Sequence, residues 1–229
     1  MEHVVITGAD RGIGLALTET FLRNGYTVYA GQFMPEWPQL SDLQPLYPQR
    51  MHIIPLHVGN TQSVKEAAAL VGSLTHRVDY LINCAGIFPK TEDADGFNSA
   101  FQVNSLGPLR MVEAFLPLMQ EGRRRLCTFS SETGVIPLMQ RVKDFPYCVS
   151  KAALNMEMHM LFKALRPEGY TFRLFHPGWV KSYMSGQKST VGDFEPEEAA
   201  PVAYRYFVSD EEIDDVLILR DIQGQYWPF

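Results

Sequence analysis

The sequence predicts an α/β fold in which a doubly wound parallel sheet carries helices on both faces. Short apolar segments alternate with helical patterns along the chain, and this order is typical of parallel strands joined by right-handed crossovers. Each segment is apolar without alternation, as is typical of strands buried on both faces of a sheet. The segments occupy residues 4–6, 27–30, 51–58, 78–83, 126–131 and 171–176.

Helical patterns separate these strands and occupy residues 13–24, 61–74, 97–120, 147–165 and 196–208. The second crossover differs, because residues 34–49 contain four prolines and proline interrupts a helix. We therefore expect mostly loop there, with at most a short helix. Residues 182–195 are polar and follow the carboxyl end of a strand, so they are predicted to form a lid; a plain connector is the alternative.

The composition is that of an ordinary globular protein. A chain of 229 residues favours one domain, 1–229, and 46% apolar with 20% charged residues excludes a disordered or fibrous chain. A net charge of −6 argues against a surface devoted to nucleic acid. The sequence has no signal-peptide pattern, no membrane-length apolar run and no paired cysteine spacing for zinc. We expect a cytoplasmic protein without a metal, a membrane span or a nucleic-acid partner.

A glycine-rich turn follows the first strand and opens the first helix. Glycines let the backbone approach phosphates closely, and the free amides and dipole of a helix start favour negative charge. The turn therefore predicts a site for the pyrophosphate of a dinucleotide, with a tight strand-to-helix connection as the alternative. The residues of the predicted site are Thr7, Gly8, Asp10, Arg11, Gly12, Ile13 and Gly14.

The order of several motifs resembles that of the short-chain dehydrogenase/reductase family. Tyr147 and Lys151 match its Tyr-x-x-x-Lys pattern, residues 83–86 match its Asn-Ala-Gly segment with one inserted Cys, and the serine pair 130–131 precedes the tyrosine. The likeness covers nearly the whole chain and is most pronounced for the sniffer-type carbonyl reductase and C-factor branch. It implies a Rossmann-type sheet of about seven strands and a nicotinamide-dependent oxidoreductase.

The predicted catalytic residues are Asn104, Ser131, Tyr147 and Lys151. Tyr147 and Lys151 are four residues apart and share one helix face. We expect the ammonium to lower the phenol pKa from about 10 toward neutrality, which would make Tyr147 a proton donor and acceptor. Adjacent strand residues point to opposite faces, and the family's Ser-x-x-Gly pattern selects Ser131, rather than Ser130, to hold the substrate oxygen. By resemblance, Asn104 would help to position the lysine through a water.

The resemblance also implies a set of cofactor contacts outside the glycine turn. His57 occupies a position near the adenine where many members have an acidic residue. It would either cap or stack locally or belong to the core, and the two roles are equally plausible. His176 is expected to be structural. The expected contacts are Gln32, His57, Val58, Asn83, Ala85, Gly86, Tyr147, Lys151, Pro177, Gly178, Val180 and Ser182.

NADP is the expected cofactor, with NAD as the alternative. Residues 30–33 lack the carboxylate that would bind the ribose hydroxyls of NAD and repel the phosphate of NADP. Arg11 resembles the basic residue of NADP-preferring members, and its planar guanidinium suits phosphate. A solvated loop arginine is the alternative, and Glu36 would compete if the proline-rich segment folded back onto the ribose.

The predicted function is hydride transfer between NADP(H) and a small carbonyl or alcohol substrate. A regulatory protein of the same fold that senses NADP with little turnover is the alternative. A homodimer through residues 97–120 and 147–165 is a further option. The segment from Ser131 to Tyr147 is longer than is usual in the family, so residues 135–146 are either substrate-facing or surface elaboration.

Overall fold

Eight strands form one sheet in the computed structural model, which describes residues 1–184 and 186–228. The strands are β1 (His3–Ile6), β2 (Thr27–Gln32), β3 (Met51–Pro55), β4 (Tyr80–Asn83), β5 (Arg125–Phe129), β6 (Thr171–His176), β7 (Leu219–Asp221) and β8 (Tyr226–Trp227). Their order is β3-β2-β1-β4-β5-β6-β7-β8, and all neighbours are parallel except β7 and β8. The predicted doubly wound parallel sheet is confirmed, with eight strands where the sequence predicts about seven.

The helices are α1 (Gly12–Arg23), α2 (Gln39–Leu43), α3 (Thr61–Leu74), α4 (Ala94–Ala100), α5 (Leu106–Met119), α6 (Phe145–Leu165) and α7 (Pro196–Val208). The bounds of α3 and α7 are those predicted. The helix predicted at 97–120 is divided, because a π-helical turn, Phe101–Ser105, separates α4 from α5. The proline-rich crossover contains only the five-residue α2 and a short 3₁₀ turn, as predicted.

Local capping explains where α3 and α7 begin. The side chain of Asn60 accepts a hydrogen bond from the amide of Ser63, which satisfies a free donor at the start of α3. At α7, Glu195 and Glu198 form a reciprocal capping box and Pro196 occupies the first helical position. These signals are local in sequence, so the sequence alone fixes both helix starts.

The sheet buries a hydrophobic cluster on each face. In β1, Val4 and Ile6 belong to one cluster and Val5 to the other, because successive strand side chains point to opposite faces. Residues of α1 and α7 cover the first face, and residues of α3, α5 and α6 cover the second. Burial on both sides accounts for the apolar strands without polar alternation.

The carboxyl ends of β1 and β4 lie side by side where the strand order reverses. In an open sheet of this kind a crevice forms at that point. Within residues 1–184 and 186–228, no helix is both long and apolar enough to cross a membrane, and no group of three His, Cys, Asp or Glu side chains could hold a metal ion.

Candidate functional site

Two adjoining clefts lie at the carboxyl ends of the central strands. The turn cleft, about 240 Å³ in volume, is lined by the glycine-rich turn, the residues after β2 and the residues after β4. The serine cleft, about 520 Å³ in volume, is lined by Ser131 and by residues that follow β6. The described residues that line both clefts are Ile13, Ser130, Tyr147, Pro177, Ser182 and Met184. Tyr147 therefore lies where the two clefts meet.

Close packing explains two glycines of the turn between β1 and α1. Gly8 has a φ of +66°, and a Cβ atom there would lie 2.8 Å from the Cα of Ala85. A Cβ atom on Gly14 would lie 2.0 Å from the carbonyl oxygen of Gly8, so α1 starts directly on the turn. The N-cap residue Arg11 makes no side-chain cap hydrogen bond among the described residues, which leaves first-turn amides of α1 for an anion.

Two polar side chains of the turn bind the chain's own backbone. Thr7 accepts hydrogen bonds at 3.0 and 2.9 Å from the amides of residues 84 and 85. The carboxylate of Asp10 accepts hydrogen bonds at 2.9 Å from the amides of residues 33 and 34. Both side chains therefore fix segments that flank the turn cleft; Asp10 also lines this cleft.

The end of β2 offers no carboxylate to a ribose, and its last residue is hydrogen-bonded through its backbone to the segment after β3. The carbonyl of Gln32 accepts a hydrogen bond from the amide of Leu56. Glu36 is exposed and does not appear among the described residues that line either cleft. The wall of the turn cleft here includes Phe33, whose ring centroid lies 4.6 Å from that of His57.

Arg11 lines the turn cleft and carries a buried donor. Its Nη2 atom donates to the carbonyl oxygen of Tyr183 at 3.3 Å. Its Nη1 atom is buried and has no hydrogen-bond partner within the described part of the chain. A buried cationic donor without an acceptor is costly, so this geometry suits an anionic group bound in the cleft.

Helix α6 brings Tyr147 and Lys151 to the same point, as predicted. The ammonium of Lys151 is buried and donates to the carbonyl oxygen of Phe129 at 3.0 Å. It lies 5.9 Å from the centroid of the Tyr147 ring. Burial lowers the pKa of Lys151 to about 8, because the charged form loses solvation.

The structure corrects the pKa expected for Tyr147. Burial, assisted by the negative charge of Glu132, raises the pKa of Tyr147 to about 12, whereas a hydrogen bond with Ser131 acts in the opposite direction. The loss of solvation of a phenolate outweighs the stabilisation expected from the lysine, whose ammonium is hydrogen-bonded to Phe129. Tyr147 is therefore protonated at neutral pH in this structure.

Of the serine pair, Ser131 is the residue whose hydroxyl interacts with Tyr147. The hydroxyl of Ser130 donates to the side-chain oxygen of Asn155 at 2.5 Å and is buried. Ser131 lines the serine cleft and accepts a hydrogen bond from the amide of Thr133 at 3.1 Å. Ser130 also lines both clefts. The assignment of Ser131 to the substrate oxygen and of Ser130 to a structural role remains a prediction.

Gly134 explains why a glycine follows Ser131 at this spacing. It ends the 3₁₀ turn Glu132–Gly134, and a Cβ atom there would lie 2.7 Å from the carbonyl oxygen of Lys151. The same Cβ atom would lie 2.7 Å from the side-chain nitrogen Nδ2 of Asn155. Only a glycine therefore lets the serine turn pack against the backbone of α6.

Sequence reasoning missed Glu132, which joins several polar groups beside the site. Ser131 donates to its carboxylate at 2.8 Å, and the Nε2 atom of His176 lies 3.1 Å from the same oxygen. Arg141 forms an ion pair with the other oxygen at 3.3 Å. Burial lowers the pKa of His176. No regular spacing connects these residues in the sequence, although an acid next to the predicted serine was a usable signal.

Asn104 lies in the π-helical turn and binds two neighbouring segments. Its side-chain oxygen accepts from the amide of Ile87 at 2.8 Å, and its nitrogen donates to the carbonyl of Ile87 and to the hydroxyl of Ser150, both at 3.0 Å. Asn104 thus connects the segment after β4 to Ser150 of α6, the residue that precedes Lys151. Its action on the lysine through a water remains a prediction.

Most of the predicted cofactor residues line one of the two clefts. The turn cleft contains Gly8, Asp10, Arg11, Gly12, Ile13, Gly14, His57, Val58, Ala85, Gly86, Tyr147, Lys151, Pro177 and Ser182. The serine cleft contains Gly178 and Val180, together with four of those already named. The described linings of both clefts do not include Thr7, Gln32 or Asn83.

The predicted lid contributes to both clefts. Residues 182–184 line the turn cleft, and Ser189, Asp193 and Phe194 line the serine cleft. An isolated parallel bridge between Val180 and Phe194 closes the base of the loop. Ser185, which also belongs to the predicted lid, lies outside the described residues. Opening and closing of this loop remains a prediction.

The lengthened segment 135–146 combines both roles considered for it. Ile136 and Val142 are 77% and 86% exposed, so part of the segment is surface. Arg141 instead lines the serine cleft and reaches Glu132. The segment is therefore mainly an exposed loop with one cationic side chain directed to the site.

Sequence comparison identifies relatives over most of the chain. A family model described as short chain dehydrogenase matches residues 2–191. An uncharacterised oxidoreductase of Schizosaccharomyces pombe is 31% identical over 227 residues, covering 94% of this chain and 88% of the relative. The C-signal protein of Myxococcus xanthus is 39% identical over 123 residues, covering 51% of this chain and 74% of that protein.

Structural comparison gives the same result. The NADPH-bound carbonyl reductase from chicken fatty liver has a TM-score of 0.86 at 27% identity, with 100% of this chain and 99% of that chain covered. The carbonyl reductase Sniffer of D. melanogaster has a TM-score of 0.89 at 23% identity and matches in fold, with 100% of this chain covered and 100% of that chain. Because the family model matches most of the chain, the resemblance drawn from the motifs is confirmed, and this chain belongs to the short-chain dehydrogenase family of oxidoreductases.

Proposed function

We propose that this protein transfers hydride between NADP(H) and a small carbonyl or alcohol substrate. One observation carries the proposal: Tyr147 lies where the two clefts meet, with Lys151 on the side of the turn cleft and Ser131 on the side of the serine cleft. A proton donor at this junction reaches a substrate held in one cleft beside a cofactor held in the other. Whole-chain similarity to an NADPH-bound carbonyl reductase supports the same reaction class.

The turn cleft fits a phosphorylated dinucleotide. The uncapped start of α1 would bind the pyrophosphate, and the unpartnered Nη1 atom of Arg11 would bind the additional phosphate that distinguishes NADP from NAD. Lys151 would hold ribose hydroxyls, and Pro177 and Ser182 would lie beside the nicotinamide. The bound cofactor supplies the hydride, whereas the protein supplies position and charge. NAD is the alternative cofactor.

In the direction of reduction, Tyr147 donates its proton to the carbonyl oxygen as negative charge develops on that oxygen. The hydroxyl of Ser131 donates to Glu132 in the free protein and would turn to donate its hydrogen bond to the same oxygen, and the ammonium of Lys151 stabilises the phenolate that remains. A pKa of about 12 keeps Tyr147 protonated at neutral pH. The free protein is therefore ready to donate a proton when a carbonyl substrate binds.

Steady-state kinetics with two cofactors tests this proposal. With 4-nitrobenzaldehyde or phenanthrenequinone as the carbonyl, we expect kcat/KM to be at least about tenfold higher with NADPH than with NADH. A higher value with NADH would overturn the cofactor assignment. Tight binding of NADPH without turnover of these carbonyls, or of aliphatic aldehydes and ketones, would favour the regulatory alternative.

Replacing Glu132 with Gln tests the charge beside the phenol. The carboxylate raises the pKa of Tyr147, so E132Q is expected to lower this pKa. In alcohol oxidation, which needs the deprotonated phenol, the rising limb of the pH-rate profile is expected to move to lower pH by roughly half a unit to one unit. Glu66→Gln on exposed α3 is the control. An unchanged limb, or one moved to higher pH, would contradict the role of Glu132.

The proposal extends to the whole chain as one catalytic domain, residues 1–229, acting in the cytoplasm on a small molecule. A homodimer is compatible with α6, where Met156 and Met160 are 62% and 65% exposed. Such exposed apolar side chains on a long helix suit a contact between subunits.

A further inference from the structure

Two segments that are distant from Arg11 in the sequence meet around its guanidinium. Trp37 comes from the proline-rich crossover, and its ring centroid lies 4.5 Å from the guanidinium carbon. Tyr183 comes from the loop after β6, and its ring centroid lies 5.7 Å from the same carbon. The two rings are 5.2 Å apart and nearly perpendicular, with an interplanar angle of 84°. We call Trp37 and Tyr183 the aromatic clamp.

The aromatic clamp contacts the guanidinium through its two rings and leaves the N–H groups of the guanidinium available as hydrogen-bond donors. Aromatic faces attract a guanidinium without using its N–H groups. One edge atom, Nη2, donates to the backbone carbonyl of Tyr183, whereas Nη1 is buried without a partner in the described structure. The neighbouring carboxylate of Asp10 is bound to the amides of residues 33 and 34. The guanidinium is thus held in the turn cleft with one donor that has no partner among the described residues.

We propose that the aromatic clamp presents Arg11 to the 2′-phosphate of NADP(H), so that the choice between NADP and NAD depends on the lid residue Tyr183. This inference rests on the proposed function, because it assumes that the turn cleft binds the dinucleotide. Tyr183 acts here as a positioning residue: its ring and its carbonyl oxygen restrict Arg11, and the phosphate is bound by Arg11.

The aromatic clamp also connects cofactor binding to the substrate side. Ser182 and Met184 flank Tyr183 and line both clefts. If phosphate binding is stronger when Tyr183 holds Arg11, then the bound phosphate must in turn favour that position of Tyr183, because coupling between sites is reciprocal. NADP, but not NAD, therefore stabilises the part of the loop that completes the serine cleft.

Binding of nucleotide fragments tests the aromatic clamp without turnover. Adenosine 2′,5′-bisphosphate and 5′-AMP differ only in the 2′-phosphate, and calorimetry gives the Kd of each. We expect Tyr183→Ala and Trp37→Ala each to weaken binding of the bisphosphate by about tenfold and to change binding of 5′-AMP by less than about twofold. Tyr183→Phe is the matched control, because it keeps the ring and removes only the hydroxyl, and it is expected to bind both nucleotides like the wild type.

Arg11→Ala separates failure of the aromatic clamp from failure of the cofactor assignment. If Arg11→Ala loses the preference for the bisphosphate but both clamp variants keep it, the aromatic clamp is overturned and the NADP assignment stands. If Arg11→Ala keeps the preference, the assignment of the 2′-phosphate to Arg11 fails and the inference fails with it. Two clamp variants from different segments guard against a fold defect in either one.

Limited trypsin digestion tests the coupling to the loop. Lys188 lies in the predicted lid, and its side chain is 46% exposed. At saturating concentrations, adenosine 2′,5′-bisphosphate is expected to slow cleavage after Lys188 several-fold more than 5′-AMP does. In Tyr183→Ala this difference is expected to disappear. Equal protection by both nucleotides in the wild type would overturn the coupling.

Discussion

Replacing Tyr147 with Phe is expected to lower kcat for carbonyl reduction by about 10³-fold. The change removes one hydroxyl and keeps the ring, which packs 5.0 Å from Phe88 between centroids. The substrate oxygen then lacks a proton donor as its negative charge develops, and Ser131 contributes only a hydrogen bond. The Kd for NADPH is expected to stay within about threefold of the wild-type value, since Lys151 and the glycine turn are unchanged.

Steady-state reduction of 4-nitrobenzaldehyde measures kcat, and quenching of protein fluorescence by NADPH measures Kd. Tyr204→Phe is the control, because this ring packs 4.9 Å from Phe21 on the opposite face of the sheet. Turnover by Tyr147→Phe within about tenfold of the wild type would remove Tyr147 from the proton-transfer step. Circular dichroism of both variants verifies that the fold is retained.

Replacing Lys151 with Met is expected to impair two steps together. Without an ammonium the phenolate left on Tyr147 is less stable, and we expect kcat to fall by about 10²-fold or more. The contact with cofactor ribose is also lost, so the Kd for NADPH is expected to rise by about tenfold. Met has a similar length and places no charge in this buried position, so the thermal midpoint is not expected to fall.

The pH dependence of cofactor binding separates this role of Lys151 from a merely structural one. Burial lowers the pKa of Lys151 from 10.5 to about 8, so the amine is charged below about pH 8 and neutral above it. The Kd for NADPH is therefore expected to rise several-fold between about pH 7 and about pH 9.5 in the wild type and to stay flat in Lys151→Met. Lys163→Met, an exposed position on the same helix, is the control and should retain the rise. A flat profile in the wild type would contradict the assigned charge.

Local patterns predicted much of the fold. The starts of α3 and α7 were predictable because the residues that cap them lie within one turn of each start. The last two strands were not predictable, because β7 has three residues and β8 has two, which is too short for a periodic pattern. The π-helical turn was missed for a different reason: the residues before and after it continue one helical pattern.

In the candidate site, too, local patterns predicted some features, whereas features that depend on contacts between distant segments were missed. Helical spacing placed Tyr147 and Lys151 together. The family's Ser-x-x-Gly pattern selected Ser131 over Ser130, and both serines follow the end of β5 rather than lying in it. The pKa of Tyr147 could not be predicted from spacing, because burial depends on every segment packed around the ring. The carboxylate of Glu132 meets His176 only through the pairing of β5 with β6, a contact between residues that are far apart in the sequence.

The tight contact between Gly134 and the backbone of α6 has an evolutionary consequence. It packs the turn that carries Ser131 against the helix that carries Tyr147 and Lys151, the residues proposed to handle the proton, whereas most of the walls of the serine cleft come from surface loops. New substrate preferences can therefore arise by insertion, deletion or exchange in those loops while the reactive groups keep their mutual geometry. Changes in specificity can thus occur in one set of gene segments while the segments that encode the proposed reactive residues stay the same.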